Sequence, residues 1–105
     1  MNDIPTYIYV IRAVRSDFSE TMSAEEERIM SIHFEYLKER LHSGALVLAG
    51  PCLDGAFGIV VFRAASKEEA EAFMNNDPAV RGGLMTAELH PFRLSLLEGE
   101  RTALK

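Results

Sequence analysis

One cysteine, Cys52, stands in a chain of 105 residues. It rules out an internal disulfide and fits a reducing compartment, so a cytoplasmic location is expected. The opening residues Met1-Asn2-Asp3-Ile4-Pro5 lack the basic and apolar regions of a secretory signal. No apolar run approaches the roughly 20 residues that span a bilayer. Basic charge is also scarce: 11 Lys and Arg against 16 Asp and Glu leave a net charge of −5. Nucleic acid and anionic membranes both call for a basic surface, so neither is an expected partner. Three widely spaced histidines and one cysteine form no metal-ligand cluster, and no metal is expected. Gly82-Gly83 lacks the strand–helix context of a phosphate loop, and no other cofactor motif stands out. The length suits one domain, 1–105, with an ordered core over about 6–97 and a polar tail from Glu98.

What is present is a regular alternation of strand and helix signals. Tyr7-Ile8-Tyr9-Val10-Ile11-Arg12-Ala13-Val14 is rich in β-branched and aromatic residues and predicts a first strand. Ile8, Val10 and Val14 share one face; Tyr7, Tyr9, Ile11 and Ala13 share the other. A polar loop over residues 15–22 precedes Ser23-Ala24-Glu25-Glu26, a capping box that starts a helix ended by Gly44. At about 100° per residue, Ile29, Ile32, His33, Tyr36, Leu37, Arg40 and Leu41 form one stripe, with His42 opposite. Leu46-Val47-Leu48-Ala49 predicts strand two, Asp54-Gly55 a turn, and residues 58–63 strand three. Ser66-Lys67-Glu68-Glu69 repeats the capping pattern before a shorter helix carrying Ala70, Phe73 and Met74. Asn75-Asn76 ends it, and Asp77-Pro78 starts a further turn with Asp77 as its cap. Residues 84–97 predict the last strand, and Pro91 implies an edge or a bulge.

The order βαββαβ in so short a chain points to an α+β, ferredoxin-like fold with a four-stranded antiparallel sheet. Both helices then cover one sheet face. Strands one, three and four are expected to carry apolar residues on the other face as well, and only residues 15–22 are free to cover it. An exposed apolar face of that size marks an interaction surface, so a homodimer through the sheet faces is expected.

His33 is the sharpest chemical feature. A histidine on a buried helical stripe is more often a packing residue than a catalyst, yet its imidazole suits proton transfer near neutral pH. Asp77 has a complete structural explanation as a cap. Together they complement each other, because a carboxylate on one ring nitrogen fixes the tautomer and frees the other nitrogen. Gly50, Pro51, Arg12 and Arg81 could line a ligand pocket, although snorkelling or an ion pair explains the two arginines equally well. Cys52 reads as a small apolar filler.

His33-Phe34-Glu35-Tyr36-Leu37, Leu46-Val47-Leu48-Ala49-Gly50-Pro51, Asp54-Gly55, Asn76-Asp77-Pro78 and Pro91-Phe92 together resemble the YCII-related family over residues 7–97. The resemblance implies a dimeric α+β barrel of ferredoxin-like subunits. It also implies an active site near the dimer interface where a histidine and an aspartate act together, at positions matching His33 and Asp77. One branch of that family eliminates chloride from a chlorinated, hydroxylated aromatic ring without a cofactor. The expectation is a lyase- or isomerase-type enzyme acting on a small, cyclic or aromatic molecule; the alternative is a non-catalytic small-ligand-binding or accessory dimer. Two departures from the pattern, Ala79 after Asp-Pro and Cys52 after Gly-Pro, bear on the pocket's shape, since a small residue at 79 could widen it.

Overall fold

The computed structural model describes residues 4–99. Met1-Asn2-Asp3, part of the start read as lacking a secretory signal, and the end of the polar tail lie outside those residues. Strands β1 (Thr6–Ala13), β2 (Leu46–Pro51), β3 (Gly58–Arg63) and β4 (Met85–Phe92) alternate with helices α1 (Phe18–Thr21), α2 (Ala24–His42), α3 (Lys67–Asn75) and α4 (Pro78–Arg81). The strands form one antiparallel sheet in the order β2-β3-β1-β4. Once the two four-residue helices are set aside, this is the ferredoxin-like order.

Local signals account for most of the elements. Ser23 Oγ accepts from the Glu26 N–H at 3.1 Å, and Glu26 Oε1 accepts from the Ser23 N–H at 2.9 Å, which closes the capping box. Ser66 Oγ accepts from the Glu69 N–H at 3.1 Å, but Glu69 reaches back to the N–H of Ala65 instead of Ser66. Gly44 follows α2 at φ +90°, where a side chain would be strained. In the β2–β3 turn, Asp54 Oδ1 accepts from the Ala56 N–H at 2.9 Å. Pro91 sits on β4, an edge strand whose outer side needs no N–H.

The core lies between sheet and helices. Tyr7, Tyr9 and Ile11 of β1 and Val60 and Phe62 of β3 pack against Leu37 of α2 and Ala70 of α3. Aromatic rings fill its centre: Phe62 stacks on Phe73 with centroids 4.1 Å apart, and Tyr9 meets both rings edge-on. Ile8 and Val10 of β1, Ile59 and Val61 of β3, and Leu48 of β2 fall on the opposite face by strand alternation and register.

Three expectations are corrected. The loop over 15–22 contains α1, whose Phe18 is buried; Arg15 secures it with a two-pronged ion pair to Glu26 (2.8 and 2.9 Å) and bonds to Thr21. Strand β4 ends at Phe92 and turns Thr86, Glu88 and His90 to the open face, so the apolar patch there belongs to β1, β2 and β3. The α2 stripe is narrower than read, because Ile32 and Leu41 are exposed.

Gly82 closes the end of α4 tightly over its own first turn. A Cβ there would lie 2.9 Å from the Pro78 carbonyl and 3.5 Å from Ile29. Gly82→Ala is therefore expected to cost about 1–3 kcal/mol through overpacking. Urea unfolding checks it, and an unchanged midpoint would contradict the close approach.

Candidate functional site

The site is built where three elements converge on one carboxylate. His33 lies on the stripe of α2 that also carries Ile29, Tyr36 and Leu37, and this stripe faces the sheet and α4. Asp77 sits between α3 and α4 as the N-cap of α4: its side chain accepts from the Ala79 N–H, and Pro78 fills the first helical position. Tyr9 rises from the middle of β1.

Asp77 is the one charged residue among the described residues that is fully buried, at 0% exposure. Its Oδ1 lies 2.6 Å from His33 Nδ1 and accepts from the Ala79 N–H at 3.0 Å. Its Oδ2 accepts from the Tyr9 hydroxyl at 2.6 Å. A carboxylate only accepts, so all three contacts are consistent when His33 carries its proton on Nδ1. Nε2 is then left for chemistry. The His33 side chain is 12% exposed, which leaves a narrow opening to solvent.

The surroundings are aromatic. The Tyr36 hydroxyl donates to the Phe73 carbonyl at 2.7 Å, and Arg40 lies over the Tyr36 ring at 4.2 Å. Burial, followed by the charge of Asp77, pushes the Tyr9 phenol far above its ordinary value. Burial raises Tyr36 in the same direction. Tyr9 is thereby held as a neutral donor.

The other residues read as pocket-lining lie elsewhere. Arg12 faces the open side of the sheet, 3.7 Å from Glu88 and over the Phe57 ring. Gly50 and Pro51 line a shallow groove with Leu48, Cys52, Phe57 and Ile59, so Arg12 borders that groove and not the imidazole. Arg81 is exposed at the end of α4. Ala79 is fully buried, with its N–H committed to Asp77. His33 and Asp77 are brought together; Gly50, Pro51 and Arg12 lie on the open side of the sheet, and Arg81 ends the short helix that Asp77 caps, its N–H donating to the Asp77 carbonyl at 2.8 Å. Among the described residues no group of three His, Cys, Asp or Glu side chains is placed to hold a metal ion. No helix among them is long and apolar enough to cross a membrane. Tyr9 was missed as a site residue. The signal was its type, since a tyrosine on the inner face of a strand needs a partner for its hydroxyl.

The model of the YCII-related domain matches residues 8–93. The chain belongs to the YCII-related family. Among solved structures, this YCII-related chain is similar to 5-chloro-2-hydroxyhydroquinone dehydrochlorinase from Burkholderia phenoliruptrix, in complex with 2,5-dihydroxybenzoquinone. The TM-score is 0.63 at 18% identity, over 83% of this chain and 93% of that one. At that identity the likeness is one of fold, an α+β fold with a four-stranded antiparallel sheet. No curated protein matches the sequence.

Two outcomes follow from this geometry. An N-cap alone is worth about 0.5–2 kcal/mol, whereas leaving the buried Tyr9 hydroxyl and the His33 ring N–H without their acceptor costs about 1–3 kcal/mol for each, about 2–6 together. Asp77→Ala is expected to fall in the higher range by denaturant unfolding, and a loss under 2 would reduce Asp77 to a cap. The second concerns alkali. The folded phenol of Tyr9 is raised above its unfolded value, so its contribution is full below about pH 10 and is lost as pH rises beyond it. Stability should decline above about pH 10 by up to about 1.4 kcal/mol per pH unit from this one group, and Tyr9→Phe should lack that component.

Proposed function

We propose that this chain is a cofactor-independent enzyme of lyase or isomerase type, in which His33 moves a proton on a small cyclic or aromatic molecule. The observation that carries the reading is the 2.6 Å contact between His33 Nδ1 and a fully buried Asp77. Asp77 orients the ring and offsets the charge that appears when Nε2 takes a proton. The electron pair left on the substrate forms a new π bond. A group on the neighbouring atom then leaves with its own electron pair, or His33 returns the proton at another atom. The neighbour's name supports this class of chemistry, since removing hydrogen chloride from a hydroxylated ring requires a proton acceptor.

We further propose a homodimer formed through the open sheet faces, in the cytoplasm. Ile8, Val10, Ile59 and Leu48, over a buried Val61, supply an apolar centre bordered by Arg12, Glu88 and His90, the pattern of an interface core with a polar rim. Sedimentation equilibrium should give twice the 11.7 kDa chain mass, and Val10→Asp should shift it to the monomer. A monomeric parent protein would refute the pairing.

The activity is tested by incubating hydroxylated cyclic compounds with the protein in heavy water and following deuterium uptake or elimination by NMR. His33→Gln should lower any turnover by about 10²–10⁴-fold while leaving the fold intact; full turnover in that variant would sink the proposal. One observation favours a second reading, a non-catalytic ligand-binding dimer: the Ala79 and Tyr9 bonds already give Asp77 a structural purpose. In that case ligands bind without turnover, and His33→Gln alters only affinity or stability.

A further inference from the structure

Two of the three tyrosines, the fully buried Tyr9 and the partly buried Tyr36, use their hydroxyls differently. Tyr36 donates to a backbone carbonyl, that of Phe73. That bond satisfies the group and does nothing else. Tyr9 donates to the side chain that also holds the imidazole, and on the oxygen that the imidazole leaves unused. It is set in the middle of an inner strand, paired with Val60 on one side and Leu89 on the other. Its ring is fixed edge-on against Phe62 and Phe73 at 5.6 and 6.1 Å. A hydroxyl held by a central strand and two rings has little freedom to follow a carboxylate that turns.

We infer that Tyr9 is a positioning residue of the site, whose hydroxyl pins Oδ2 of Asp77 so that Oδ1 faces His33 and the carboxylate's accepting power is divided between phenol and imidazole. This rests on the reading of His33 and Asp77 as a working pair. The physical basis is that one carboxylate shares its charge over two oxygens. A strong donor on Oδ2 weakens Oδ1 as an acceptor, and the removal of that donor strengthens the bond to Nδ1. The groups facing the Tyr9 hydroxyl are Asp77 from the α3–α4 corner and Tyr36 and Arg40 from α2. Asp77 alone among them is within hydrogen-bonding distance in the structure. The upward displacement of the phenol by burial and by Asp77 agrees with a donor that keeps its proton.

The test reads the proton on His33 Nδ1 by ¹H and ¹⁵N NMR of histidine-labelled protein and needs no substrate. The unsubstituted protein should give a downfield ring-proton signal that disappears in His33→Gln. Tyr9→Phe should move this signal further downfield. Tyr9→3-fluorotyrosine, with nearly the same volume and a more acidic phenol, should move it upfield. Displacements in opposite directions support the inference, because a loss of packing cannot reverse sign with donor strength. An unmoved signal, or the same displacement in both variants, overturns it and leaves the His33–Asp77 pair standing. If Tyr9→Phe fails to fold, the fluorotyrosine variant decides: an upfield shift supports the role, and none overturns it. A His33 ring protonated at Nε2 in the unsubstituted protein overturns the pair itself, and is recognised because it needs no variant to be seen.

Discussion

The structure depends on placing one carboxylate in the core. A buried, unpartnered Asp77 would cost several kcal/mol, and the chain meets that cost with donors from three separate places. Tyr9 comes from the sheet, His33 from the long helix, and the Ala79 N–H from the turn that Asp77 itself begins. Each donor fixes a distance between elements. The corner after α3 must lie against α2 at the level of His33, and α4 packs there beside Ile29. Strand β1 must run beneath that corner with Tyr9 pointing upward, which agrees with its inner place in the sheet. The same contacts that hold the layers together therefore orient the imidazole.

Such an arrangement divides the two ring nitrogens of His33. Nδ1 is committed to Asp77, so under the proposed function proton exchange with a ligand would fall to Nε2. With the side chain 12% exposed, a charge appearing on the ring is poorly hydrated and depends on Asp77 for compensation. The Ala79 N–H and the Tyr9 hydroxyl each bond one of its oxygens, which under the proposed function would keep the carboxylate turned to the ring. A cap in the loop alone would hold one oxygen. The phenol holds the other.

The legible parts of the fold were those written locally. Ser23 with Glu26, Asp54-Gly55 and Asp77-Pro78 each satisfy nearby backbone groups, so a few adjacent residues state the outcome. His33 was legible because helical periodicity is also a short-range rule. Tyr9 was not: strand alternation says only that it points inward, and its bond to Asp77 spans 68 positions of sequence. Helix α1 was hidden for a related reason. Asp17 makes no side-chain cap bond, and the segment is secured by Arg15 and by the burial of Phe18. The over-wide stripe on α2 reflects the limit of periodicity itself, which ranks angles around a helix without knowing where the neighbouring layer ends; Ile32 and Leu41 lie past that edge.

Alternation also separates residues that a sequence reading gathers into one pocket. Tyr9 and Arg12 are three positions apart on β1, an odd step, so they point to opposite faces of the sheet. Tyr9 reaches the His33–Asp77 pair beneath the helices, and Arg12 reaches Glu88 and the Phe57 ring on the open side. Gly50 and Pro51 border the groove on that side. Within one chain, a small molecule touching both Arg12 and His33 would have to pass through the sheet. Under the proposed function, a ligand would meet Nε2 on the helix side of the sheet, where His33 lies. A second copy seated on the open face would cover Arg12, Gly50 and Pro51 while leaving that approach in place. Pairing of the sheets and access to His33 thus make separate demands on the two faces, and the fold can meet both.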